Sequence, residues 1–232
     1  GRLLPRLTFM PGIAQIGSFL EMGLTPSATT DPGIHVGAAK VMLTATGGAF
    51  HPSVEELEEL MRLAFGSGFP VSVHVVEAES LDVVIKAIGR SRPESMAHEL
   101  IRIDHCSECP PELLEGLKRS GVTVVTQPGF LYYNGQRYLA QVPVERQPWL
   151  YPTGSIQRSG IPLAFSSDAP VVAPNPMMGL YSAITRREES GDTLSPGEKM
   201  APEDALKAYT LGGATALGRG GVVRNGPEPD PR

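Results

Sequence analysis

Long apolar runs are missing from this 232-residue sequence. None approaches the roughly 18 residues that a membrane-spanning helix needs, and the first residues carry no apolar signal core, so a cytoplasmic protein without a membrane partner is expected. Basic clusters are missing as well. The Arg186-Arg187 pair is as long as any Lys/Arg run gets and the formal charge is −5, which argues against nucleic acid or an anionic membrane surface as a partner. Cysteine is scarce. Cys106 and Cys109 form one C-x-x-C, too few for a disulfide framework and lacking the second pair of a structural zinc ribbon. They read most simply as small, half-buried residues where a strand turns into the helix beginning at Pro110-Pro111, with a redox pair or an extra soft metal ligand as the functional readings. No Walker loop, G-x-S-x-G elbow or H-E-x-x-H is present, and the glycines of GGATALGRGG miss the dinucleotide spacing.

What is present is ordinary globular composition, 41% hydrophobic and 19% charged. Within it lies a series of short apolar segments that each end in a polar residue. VSVHVV carries His74, LIRIDH carries His105, TVVTQP carries Gln127 and PLAFSSDAP carries Asp168. Between them run helical patterns. In the clearest, a capping box of Ser53 and Glu56 precedes Val54, Leu57, Leu60, Met61, Ala64 and Phe65. Six strands of the βα type are expected, near residues 6–11, 35–43, 71–76, 100–105, 122–127 and 161–168, with no hairpin signal. The stretch from Gly129 to Pro152 reads as a long loop, and two further helical segments follow. In a parallel barrel all strand C-termini open onto one face, where the chemistry is done. Two His and one Asp meeting there are metal-ligand types.

The fold class expected is α/β, a (β/α)8 TIM-barrel type with about strands three to eight present. Residues 1–217 would form the partial barrel and 218–232 a Gly/Pro-rich tail leading into a further segment. The expectation is of a chain incomplete at both ends, whose bare sheet edges invite a homo-oligomer.

The series KVML, VSVHVVEAES, RIDHCSECPPEL, VVTQPGFLYYNGQRYL, AFSSDAPV and EDALKAYTLGGA resembles the amidohydrolase superfamily. Within it, the resemblance is to the family 3 branch that includes N-substituted formamide deformylases, and it extends from about Leu7 to Gly218. It implies a metal-dependent hydrolase with one or two divalent ions, usually zinc, at the barrel mouth. By the same resemblance His74 and His105 would ligate a metal, and Asp168 would bind the metal or its water and shuttle a proton. Lys40 would sit where many members use a carboxylated lysine to bridge two ions; alternatively it is a plain lysine paired to Asp168 or Asp104. One departure stands out. The family takes two further ligands from a His-x-His on its first strand, and none occurs here; His35, His51 and His98 are widely spaced.

The expected substrate is a small amide or cyclic amide, hydrolysed at a carbon–nitrogen bond. The other reading is an inactive remnant or binding fragment. Gln127, His51 and the cluster of Tyr132, Tyr133, Asn134 and Arg137 are candidate substrate contacts, since loops after barrel strands build pockets. The packing alternatives stay open: Gln127 as a cap of its strand, and the aromatics as packing that holds the long loop down. His35 and His98 fall at strand starts, on the structural face.

Overall fold

The computed structural model describes residues 7–26, 29–31, 34–93 and 101–218. His98 and most of the 218–232 tail lie outside them. The strands are β1 (Leu7–Phe9), β2 (Thr29–Asp31), β3 (Ile34–Val36), β4 (Ala39–Met42), β5 (Thr44–Thr46), β6 (Ala49–His51), β7 (Val71–Val75), β8 (Ile101–His105), β9 (Thr123–Thr126) and β10 (Leu163–Phe165). The helices are α1 (Ile16–Glu21), α2 (Val54–Gly66), α3 (Ala78–Ser91), α4 (Pro111–Ser120), α5 (Gly129–Gln141), α6 (Thr153–Arg158), α7 (Pro176–Thr185), α8 (Pro202–Lys207) and α9 (Gly213–Ala216).

A five-stranded parallel sheet in the order β10-β9-β8-β7-β4 dominates the fold, alternating with helices in the βα manner. It is open among the described residues rather than closed. One face is apolar. Val41, Val71, Val73, Val75, Ile101, Ile103 and Val124 are all buried there in one cluster with Leu57 and Met61 of α2, Leu81, Val84 and Ile88 of α3 and Leu117 of α4. Burying so many branched side chains, at about 25 cal/mol per Å² of apolar surface, is the main force holding helices to sheet.

The local signals explain the helices. Ser53 Oγ accepts from Glu56 N at 3.2 Å while Glu56 Oε2 accepts from Ser53 N at 2.9 Å, closing the capping box of α2. Pro at the first position opens α4, and Gly121, at φ +64°, ends it in the left-handed conformation that glycine adopts without cost.

The opposite face of the sheet is polar. Register puts Lys40 beside Ser72 and Ser72 beside Arg102, and one level further Met42 beside His74 and His74 beside Asp104. Alternation by two therefore sends Lys40, Ser72, His74, Arg102 and Asp104 to the side that a barrel would enclose.

Several expectations need correction. The segment 35–43 is not one strand: β3 joins β1 in a separate three-stranded sheet and β4 joins the main one. A hairpin does occur, β5 pairing antiparallel with β6. The stretch after β9 is not a loop but chiefly the 13-residue helix α5, so Tyr132, Tyr133, Asn134 and Arg137 are helical. The edge strand β10 is covered by the π-helical turn at Ala208–Gly212. A Cβ on Gly212 would lie 2.1 Å from the carbonyl oxygen of Leu163, so that close approach admits only glycine.

Candidate active site

His74 stands near the C-terminal end of β7 and His105 ends β8, paired in register with Val75. Strict alternation would point these neighbours in level to opposite faces. The backbone breaks it: His105 has φ +74° and Cys106 φ +50°, a left-handed excursion that L-residues adopt only where surroundings enforce it. The result is that the two imidazoles meet, ring centroids 4.5 Å apart and edge to face at 71°. Asp168, beyond the end of β10, is also left-handed at φ +55°.

His105 Nδ1 lies 2.8 Å from Gln127 Oε1, while Gln127 Nε2 donates to Ser166 Oγ at 2.9 Å. An amide oxygen only accepts, so Nδ1 of His105 carries the proton and Nε2 presents its lone pair. His74 is held neutral by its surroundings. Burial lowers its titration from the usual 6.5 to about 4, helped by the charges of His105 and Lys40 and opposed by the carboxylates of Asp104 and Asp168. His74 thus favours the neutral form in which imidazole binds metals, and the bond to Gln127 leaves Nε2 as the free nitrogen of His105.

Lys40 Nζ donates to Asp104 Oδ2, which also accepts from Ser72 Oγ at 2.6 Å. Arg102 Nε lies 3.0 Å from Asp104 Oδ1, yet its N–H bonds Ser72 Oγ, leaving Oδ1 without a hydrogen bond. Burial alone would raise the Asp104 carboxyl; the adjacent Arg102 and Lys40 charges outweigh it and hold it below the usual range. Sequence reasoning named Asp104 only as a lysine partner and passed over Ser72 and Arg102. The signal was the spacing of polar residues two apart in Ser72-x-His74 and Arg102-x-Asp104.

Lys40, Asp104, His105, Gln127, Ser166 and Asp168 line one cavity of about 340 Å³, together with the apolar Phe165, Ala216 and Leu217. That volume suits a small molecule. Tyr132 and Tyr133 line a different hollow, with Glu188 and Glu189. Arg137 is exposed, its guanidinium 5.5 Å from the Tyr138 ring, and His51 is exposed at the end of the hairpin. His35 borders a separate cavity beside Thr8 and Arg102.

A family model described as the amidohydrolase family matches residues 13–224. The chain belongs to the amidohydrolase family. It is similar to the N-substituted formamide deformylase of Arthrobacter pascens, 26% identical over 178 residues, or 76% of this chain and 33% of that protein. In structure it is similar to an uncharacterized metal-dependent hydrolase from Pyrococcus furiosus, with TM-score 0.76 and 21% identity over 91% of this chain and 46% of that one. It is also similar to the atrazine chlorohydrolase TrzN of Arthrobacter aurescens complexed with zinc, with TM-score 0.57 and 16% identity over 89% and 43% of the two chains. These likenesses place the open sheet as a segment of the amidohydrolase TIM barrel. The chain spans about a third of the length of the curated relatives it matches.

In kind, the donors here fit a divalent ion: two facing imidazoles, with a carboxylate near enough for its charge to act on His74. In position, only the imidazoles are ready. Among the described residues no three His, Cys, Asp or Glu side chains are close enough to enclose one ion.

Proposed function

We propose that this amidohydrolase chain carries most of the active site of a metal-dependent hydrolase that cleaves a carbon–nitrogen bond in a small amide or cyclic amide. The observation that carries the reading is the pair of facing imidazoles, His74 and His105, of which His105 lines a small-molecule cavity together with Asp168 and Lys40. His74 and His105 would hold the ion, with Asp168 or a carboxylated Lys40 as the further donor. Zinc is the ion proposed, supported by the nitrogen-and-oxygen donor set and by the zinc in the TrzN complex. A bound divalent ion supplies a hydroxide at neutral pH and polarises the scissile carbonyl.

The chain's own residues would do the rest. Gln127 keeps His105 in the tautomer that offers Nε2. Asp168 accepts a proton at a carboxylate oxygen and returns one to the leaving nitrogen. Phe165 and Leu217 supply apolar lining to the cavity. Substrate contacts are proposed for Gln127 and, where an extended ligand leaves the cavity, for Arg137 and His51. A cytoplasmic setting is part of the reading, supported by two buried free thiols and by the lack, among described residues, of a helix able to cross a membrane.

The test is Asp168→Asn in an active preparation, assayed on N-substituted formamides and cyclic amides. Hydrolysis is expected to fall about 10²–10⁴-fold, the usual worth of general acid–base help, with metal content largely kept. Near-full activity would remove Asp168 from the chemistry.

A further inference from the structure

Away from the imidazole pair, α5, α7 and the turn after α7 enclose two adjoining hollows of about 180 and 340 Å³ that share Tyr132, Glu188, Glu189 and Ser190. None of their tyrosines lines the cavity of the candidate active site. Tyr132 stands between two partners. Its ring meets Tyr133 at 5.1 Å and 89°, and Tyr181 at 5.9 Å and 86°. Perpendicular rings form the walls of a box whose faces carry the negative part of the aromatic quadrupole.

The remaining wall is acidic. The backbone N–H of Glu189 donates to the carbonyl of Tyr132 at 3.1 Å, fastening the turn to α5, and Glu188 Oε1 accepts from Asp192 N at 2.8 Å and from Ser190 Oγ. The Ser190 hydroxyl and the neighbouring amides hold the Glu188 carboxyl below its usual range. Burial and the charge of Glu189 raise the Tyr132 phenol, so the ring stays neutral. No lysine or arginine lines either hollow, and among the described residues neither glutamate enters an ion pair.

Aromatic walls at right angles beside two carboxylates that have no ion-pair partner among the described residues match one ligand class. We propose that Tyr132, Tyr133, Tyr181, Glu188 and Glu189 form a second binding site, distinct from the candidate active site, for an alkylammonium cation. The rings replace its hydration by their faces, and the carboxylates balance its charge.

Titration of the 232-residue chain with tetramethylammonium chloride at matched ionic strength, followed through the tyrosine ring resonances, tests this. Saturable shifts are expected, with none from tert-butanol, an uncharged molecule of similar shape. Tyr181→Phe should keep binding, because it keeps the ring face. Tyr181→Leu and the exposed-site variant Glu189→Gln should each weaken it about three- to tenfold, the size of one cation–π or one exposed charge contact. Absence of saturable shifts, equal binding of tert-butanol, or unchanged affinity in Glu189→Gln would each overturn the assignment. Should Tyr181→Leu not fold, Tyr181→Phe and Glu189→Gln decide it.

Discussion

Gln127 fixes which nitrogen of His105 is free. Its Oε1 takes the proton on Nδ1 at 2.8 Å, and its own orientation is set by the bond from Nε2 to Ser166 Oγ at 2.9 Å. Three residues, at the end of β8 and just beyond β9 and β10, thus align one lone pair. Gln127→Leu removes the acceptor and lets the ring turn or tautomerise, so zinc affinity should drop about 10–100-fold, the usual cost of losing such a support. Equal affinity by competition with a chromophoric chelator would mean that Gln127 does not orient the ligand.

His74 gives a pH signature in the metal-free chain. Its folded-state value of about 4 lies below the unfolded 6.5, so the unfolded chain binds the proton more readily. Stability contributed by neutral His74 is therefore present above about pH 6.5 and lost as pH falls from there towards 4. The ring is only half buried, so after allowance for solvent screening the loss is about 1–2 kcal/mol. Urea denaturation of the EDTA-treated chain at several pH values, set against His74→Gln, measures it. The same pH slope in both would contradict the assignment.

Asp104 is the counter-ion of two cations, Lys40 and Arg102, on the polar face of the sheet. Asp104→Asn keeps the shape but leaves both uncompensated, and Lys40 is partly exposed, which softens the effect. A loss of about 2–3 kcal/mol is expected in denaturant melts, below the 3–5 typical of a fully buried pair. A change under about 0.5 kcal/mol would show that solvent already neutralises the cluster.

Self-association should run through the small sheet. Leu7 and Phe9 of β1 are each 55% exposed and Ile34 of β3 is 38% exposed, a cluster of large side chains that water covers poorly. Light scattering of the chain should give a mass above one protomer, and Leu7→Lys with Phe9→Lys should return it to one. A monomer in the parent chain would contradict this.

Much of the architecture was legible because period and punctuation were strong: α2 with its capping box, β7 and β8 as alternating apolar and polar residues, and β9 as a short apolar segment, each between helices. The misreadings have physical causes. Gly129–Gln141 contains two glycines and four aromatics, poor helix formers alone; packing of α5 against α7 makes it helical. The 35–43 segment looked continuous because hydrophobicity does not register that Gly37 and Ala38 pass between two sheets. At the site, His74, His105, Gln127 and Asp168 stood out as polar ends of apolar strands. The left-handed backbone that turns His105 towards His74 left no mark in composition, since it is enforced by tertiary contacts.

The central claim is that His74 and His105 act together on one divalent ion. Zinc titration of the EDTA-stripped chain, beside His74→Ala, His105→Ala and the double variant, tests it most directly. A single site is expected in the parent chain, weakened at least about tenfold in each single variant, with the double variant little worse than either because the ligands act as one unit. Zinc affinity unchanged by His105→Ala, or two independent losses that simply add, would contradict it.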